Sequence, residues 1–405
     1  MRTPARESGW AGVRAFAVGA WPQGSSRQIA PRAGPLLVSA ERMYRGLARM
    51  GFRRHSGLRM LRPLASRRFD SRAFLFSALF LLAGCNHRAP GGERLYVSDD
   101  RTDLVAGIDL PTVGVADRIP VGGRPRGLVL SPDHATLYVA LSAAPAEEND
   151  EGTLEQPAKP RVDGVAVIDV ATAQVVRVLP AGIDPVRVAT SPDGRMLFVA
   201  DQADNSITAV AADGKSRPRT VAVCESPEGI APTADGRMLF VACVDSDRVA
   251  MLDTDQLHMK RRIRVRGGPR SVLTARSGRH IYVATDNGRL AVLTPDGRIE
   301  KMLDLTRDAD ELRAAGMVEA PDGHLFVTTG RYGAVVEVDP EGGTIIRTIA
   351  HVGAEPMGIG ISADGATLVT ANGASGDVSL ISRQSGKIVR KLNVGMRPWG
   401  IAARG

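Results

Sequence analysis

The sequence predicts an all-β fold: a seven-bladed β-propeller of four-stranded antiparallel blades, closed by pairing of the N- and C-terminal segments. Three observations carry this. A Leu-aromatic-Val core recurs at near-constant spacing, an Asp-Gly turn stands upstream of most copies, and the repeating part starts and stops inside a unit.

Each unit is taken in chain order. It opens on a Pro- or Gly-led strand, as in Gly123-Arg-Pro-Arg-Gly127, Asp184-Pro185, Ser226-Pro227, Gly268-Pro269, Glu355-Pro356 and Arg397-Pro398. A turn follows: Ser131-Pro-Asp-His134, Ser191-Pro-Asp-Gly194, Thr233-Ala-Asp-Gly236, Arg276-Ser-Gly278, Pro321-Asp-Gly323 and Ser362-Ala-Asp-Gly365. Asp-Gly ahead of an alternating run signals a hairpin, because glycine takes positive φ freely. Next comes the core strand, centred on Tyr96, Tyr138, Phe198, Phe240, Tyr282, Phe326 and, in degraded form, Val369; these centres lie 42, 60, 42, 42, 44 and 43 residues apart. A third strand ends in Asp, as in Val165–Asp169, Val249–Asp253 and Val335–Asp339, and an outer strand completes the unit. About 42 residues per four strands is the period of a propeller blade.

The first core strand, at Leu95, has no opening strand ahead of it, and the last opening strand, Met396–Ala403, has no core strand behind it. Six whole units and one split unit make seven blades over 94–405, and pairing the two ends removes an open edge. The pattern resembles the bacterial YVTN-repeat β-propeller lipoproteins over essentially all of 93–405. That resemblance implies a binding or scaffold module. Its alternatives are a lactonase-like hydrolase of a small sugar lactone, or an accessory of a periplasmic quinone- or haem-dependent dehydrogenase. Fold by itself does not choose among them.

The formal charge of +8 belongs to the leader. Residues 1–84 hold 15 Arg against three acids, a net of +12, which leaves 37 bases and 41 acids in 85–405. A mildly acidic body lacks the electrostatic footprint of a nucleic-acid binder. Basic residues after Met60, eleven apolar residues over Ala73–Ala83 and Leu82-Ala83-Gly84-Cys85 read as a lipoprotein signal peptide spanning 60–84, with Cys85 lipidated and 85–93 a tether. Eleven apolar residues are too few to span a bilayer. The expectation is a monomer on the periplasmic side of a bacterial membrane, the outer one favoured by Asn86, and bound to it through the lipid. Residues 1–59 do not fit a short n-region and read as a non-native upstream extension, with Met60 the true start, or as a disordered segment.

Propellers bind at the channel mouth. The residues after each opening Pro are expected to face it: Arg126, Val186, Glu228, Arg270, Met357 and Trp399, with Met317 at the Pro-less equivalent. A second ring follows the core strands and includes Asp99, Asp201 and Asn372. Trp399, the only Trp outside the leader, reads either as a stacking platform or as a packing plug; Arg126, Arg187 and Arg270 read either as an anion clamp or as partners of acids such as Glu228 and Asp201. Cys224 and Cys243 reach the same face, as a disulfide or as two thiols. No catalytic residue, metal site or cofactor is assigned, for the chain has no nucleophile elbow, phosphate loop or Cys-x-x-Cys-His motif. The expected partner is an unknown protein or small molecule at the mouth. Residues 143–161, rich in Pro and acids, read as an inserted loop that accounts for the 60-residue spacing.

Overall fold

The computed structural model describes residues 93–144, 162–306 and 312–403. These form seven four-stranded antiparallel sheets. Blades II to VII take their strands in chain order, opening with the inner strands Arg124–Leu130, Pro185–Thr190, Pro227–Pro232, Pro269–Thr274, Met317–Glu319 and Pro356–Ile361. Blade I is the split one. Its inner strand is the C-terminal Pro398–Ala402, which pairs with Arg94–Asp99 through Tyr96 with Ala402 and Val97 with Ile401. Each inner strand contacts the next around the ring, blade VII to I and blade I to II included. The expected signal peptide, Cys85 and most of the expected tether, like residues 145–161 of the expected insertion, lie outside the described residues.

The Leu-aromatic-Val signature follows from side chains alternating across a strand. In blade III the ring of Phe198 packs toward blade IV among Val186, Leu239 and Val241. Its neighbours Leu197 and Val199 point the other way, onto Tyr138 and Val167 of blade II. Tyr96 and Tyr138 repeat the arrangement in blades I and II. Every blade thus presents an apolar face to both neighbours, and each fully buried side chain of this kind is worth roughly 1.5–3 kcal/mol. Outer strands such as Ile299–Asp304 are mostly exposed.

At the turn end of the inner strands the geometry repeats blade after blade. Gly194, Gly236 and Gly365 hold φ of 70, 71 and 72°, and His134 holds 58° where its turn lacks the glycine. Hydroxyls donate to the turn carboxylates within each turn: Ser131 to Asp133 and Ser191 to Asp193 at 2.5 Å, Thr233 to Asp235 at 2.6 Å.

The register of blade VI corrects one sequence expectation. Met317 pairs with Val327, two residues further along the strand than the position occupied by Met357 in blade VII. Gly316 abuts the Met357 carbonyl and Gly358 just as Gly358 abuts Trp399 and Gly400, so the mouth position of blade VI is Ala315. Without a proline to mark the strand start, the sequence offered no anchor for the register.

Candidate functional site

The site grows from three positions flanking and following the opening proline of each inner strand. The residue before the opening proline, or its equivalent, is charged in five blades, with both signs present: Arg397, Arg124, Asp184, Arg313 and Glu355 occupy it in blades I, II, III, VI and VII. Neighbouring blades pair through it. Arg124 lies 3.3 Å from Asp184 and 3.5 Å from Asp100, and Arg397 lies 3.9 Å from Glu355. Sequence reading passed over these residues as strand-opening motifs; the signal was the row of charges directly before Pro125, Pro185, Pro356 and Pro398.

The residue after the proline is the predicted mouth position. Arg126, Glu228, Arg270, Met357 and Trp399 do come together there, lining a cavity of about 350 Å³. Val186 does not. It is fully buried between blades III and IV, an apolar side chain drawn into the core. Arg270 binds Glu228 on one side and makes a two-pronged contact with Asp286 on the other, at 2.5 and 2.8 Å. Arg313 joins Asp286 at 3.1 Å, and Arg126 lies within 3.7 Å of Asp100 and Asp184. The two guanidiniums hold the Asp286 carboxyl below the usual carboxylate range, although burial opposes them.

The third position, one residue further, is almost always glycine. Gly127, Gly229, Gly316, Gly358 and Gly400 stand in five blades and Ser271 in a sixth. A Cβ at Gly127 would lie 2.7 Å from the Val186 carbonyl oxygen, so inner-strand backbones approach too closely around the axis for side chains. Blade III departs from the rule with Arg187. Its Cδ would lie 2.9 Å from that same Cβ, so the missing side chain at Gly127 makes room for the arginine stem. The guanidinium reaches back past blade II to within 4.6 Å of the centre of the Trp399 ring in blade I; Arg126 stands 5.3 Å from the same centre. Trp399 is 5 % exposed, a ring covered by cations rather than an open stacking platform.

The second predicted ring does not face the mouth. Asp99, Asp201 and Asn372 are at most 3 % exposed. Each pairs with an opening proline, which turns its side chain toward loop backbone. Asp99 accepts from the Arg101 and Thr102 amides on its own side and from Met396 and Arg397 on the C-terminal side, clasping the two ends of blade I. Asn372 donates to the Val352 carbonyl, to Asp377 and to Ser379. Asp201 accepts from the Gly182 amide at 3.0 Å, and burial pushes its carboxyl up to about 7. All three side chains hold loop segments rather than lining the mouth cavity.

Cys224 and Cys243 are joined in a disulfide, their Cα atoms 5.8 Å apart. Ala144, at the root of the insertion, lines the mouth cavity, and the Ala143 amide donates to Asp163 beyond the insertion. Among the described residues no three His, Cys, Asp or Glu side chains cluster as metal ligands.

A family model described as YNCE-like beta-propeller matches residues 150–404. The chain belongs to the YNCE-like beta-propeller family. This YNCE-like propeller is 36 % identical over 123 residues to antigen Lp49 of Leptospira interrogans serogroup Icterohaemorrhagiae serovar copenhageni, a match spanning 30 % of this chain and only 26 % of that relative's length. Among solved structures it is similar to the periplasmic gluconolactonase PpgL of Pseudomonas aeruginosa, at a TM-score of 0.62 and 21 % identity, covering 77 % of this chain and 98 % of that one. It is also similar to the hydrazine synthase of Kuenenia stuttgartiensis, at 0.59 and 20 %, covering 72 % and 93 %. At such identities the likeness is one of fold.

Proposed function

We propose that this YNCE-like propeller is an exported, lipid-anchored monomer of the YVTN-repeat type that binds a partner or ligand at its channel mouth without transforming it. The observation that carries the reading is the state of the mouth acids. Asp100, Asp184, Glu228, Asp286 and Glu355 each face an arginine within ion-pair distance. Carboxylates paired one by one with arginines make a fixed charge pattern suited to recognition, and at Asp286 the two guanidiniums hold the carboxyl below its usual range, the opposite of what a general acid for hydrolysis needs. Export is supported by the Cys224–Cys243 disulfide, a bond that persists in oxidising compartments, and by the Leu82–Cys85 tetrapeptide behind its apolar stretch. Acylation of Cys85 supplies the membrane attachment.

Two measurements on the full chain test this. Metabolic labelling with a radioactive fatty acid should mark the parent protein and leave Cys85→Ser unlabelled; equal labelling refutes the anchor. A partner cross-linked and recovered from membranes should be lost when the rim residue Met396, 59 % exposed, is changed to Glu. Turnover of a sugar lactone that disappears in Arg270→Ala, with the protein still folded, would instead favour the hydrolase of which the gluconolactonase fold is an example.

A further inference from the structure

The charges around the mouth do not balance, and the imbalance has an address. Five carboxylates, Asp100, Asp184, Glu228, Asp286 and Glu355, face five guanidiniums, those of Arg124, Arg126, Arg270, Arg313 and Arg397. A sixth guanidinium, Arg187, has neither a hydrogen bond nor an ion pair among the described residues, and its Nε is buried. Burial and the neighbouring Arg126 and Arg270 all press it toward losing its charge; only Glu228 opposes them, and Glu228 is already bound to Arg270. A half-buried cation whose Nε is shut away from water and which lacks an ion pair is costly. Yet arginine stands here against the glycine or serine of the six other blades, with Gly127 vacating the space for its stem.

We propose that Arg187 is the seat of a small organic monoanion, a monocarboxylate, bound at the floor of the channel mouth. The proposal deepens the mouth-binding reading and rests on it. The planar fork of a guanidinium matches the two oxygens of a carboxylate. One negative charge completes the balance, whereas a dianion would add a second beside five carboxylates. Arg187 is not itself among the residues lining the mouth cavity of about 350 Å³ but stacks on Trp399, which does line it, so a carboxylate on the guanidinium would set its carbon part toward Trp399 and Met357 in a space at the small end of ligand pockets.

Trp399 provides the readout. In the full chain carrying Trp10→Phe and Trp21→Phe it is the sole tryptophan. Sodium acetate and sodium lactate, titrated at fixed ionic strength, should change its emission saturably, with sodium sulfate and sodium phosphate weaker. Arg187→Gln should weaken the monocarboxylates by roughly tenfold to a hundredfold, the loss of a charge-assisted pair. Arg187→Lys should fall between, keeping the charge and losing the fork. The same salts should raise the melting temperature of the parent saturably, a measurement that needs no variant. An unchanged emission and melting temperature overturns the proposal, as does equal affinity in a folded Arg187→Gln. If both anion readouts fail while Met396→Glu still abolishes cross-linking, the anion seat is wrong and the mouth reading stands; if cross-linking is indifferent as well, both fall.

Discussion

The two ends of the inner strands obey different rules. At the turn end four blades satisfy their polar groups locally, as in Ser131 with Asp133, Ser191 with Asp193 and Ser362 with Asp364, residues two apart in one chain segment, while Arg276 and Asp322 in the other turns reach to the next blade. At the mouth end the partners sit in different blades, Arg124 with Asp184 and Arg270 with Glu228. The turn end repeats because each blade must solve the same local problem. The mouth end diverges because side chains from most of the blades converge on one small space, and a site can be built only where copies of a repeat stop being alike.

The largest expected effect breaks the between-blade pairing. Arg270→Ala strands Glu228, 5 % exposed at its side chain, without its cation, and should cost about 3–5 kcal/mol. The matching truncation at the turn end, Asp235→Ala, loses an exposed group and should barely move a urea midpoint. Equal losses in the two variants would erase the distinction between the ends.

Glycine gives the next contrast. At Gly229 a Cβ would overlap the Arg270 carbonyl oxygen of the adjacent blade. Forcing two inner strands apart should cost up to about 3 kcal/mol in Gly229→Ala. Gly236 holds φ of 71° in a turn where alanine meets the general penalty for the left-handed region, about 1–2 kcal/mol, and a side-chain contact with the Pro192 ring at 3.1 Å that can give, with no backbone in the way. Calorimetry on the pair should rank them in that order; the reverse would mean the ring has slack at its axis.

This asymmetry also explains what could be read from the sequence. The Leu-aromatic-Val trios and Asp-Gly turns gave away the blades and their closure because alternation and positive φ are local demands, met the same way at Tyr96 and at Phe240. Mouth positions followed from the prolines where prolines exist, and failed at Ala315, where none does. Val186 was misplaced because, at a bulge that the other proline-led blades share, its apolar side chain packs into the core where Glu228 and Arg270 turn to the channel. Asp99 and Asp201 looked like rim acids, and only three-dimensional pairing with Met396, Arg397 and Gly182 shows them to be clasps.

Asp201 carries the pH prediction. Its carboxyl binds a proton more tightly folded, near 7, than unfolded, near 4. Stability from this group is therefore present below about pH 4 and lost as pH rises to about 7, whereas Asp286, shifted down, contributes stability that vanishes in acid. Asp201→Asn keeps an acceptor for the Gly182 amide and removes the buried charge. At pH 8 it should be more stable than the parent by about 1–2 kcal/mol, part of the gain offset by its own unpaired amide nitrogen, and the difference should close below pH 5. A parent-to-variant difference independent of pH would show that Asp201 stays ionised in the fold.

The smallest effect sharpens the comparison most. His134 holds φ of 58° in a turn whose counterparts use glycine, and Asp184 holds 54° at the mouth. Both backbones would relax with glycine. At His134 the half-buried ring makes no hydrogen bond among the described residues that would be lost, so His134→Gly should gain about 0.5 kcal/mol, the relief partly offset by the freer unfolded chain. At Asp184 the carboxylate also holds Arg124 and receives the Ser142 hydroxyl, so Asp184→Gly should lose stability despite the easier backbone. One substitution, applied at opposite ends of the blades to the same strained geometry, should thus change sign. The sign reports whether a departure from glycine is a tolerated accident of the turn or a charge placed for the mouth.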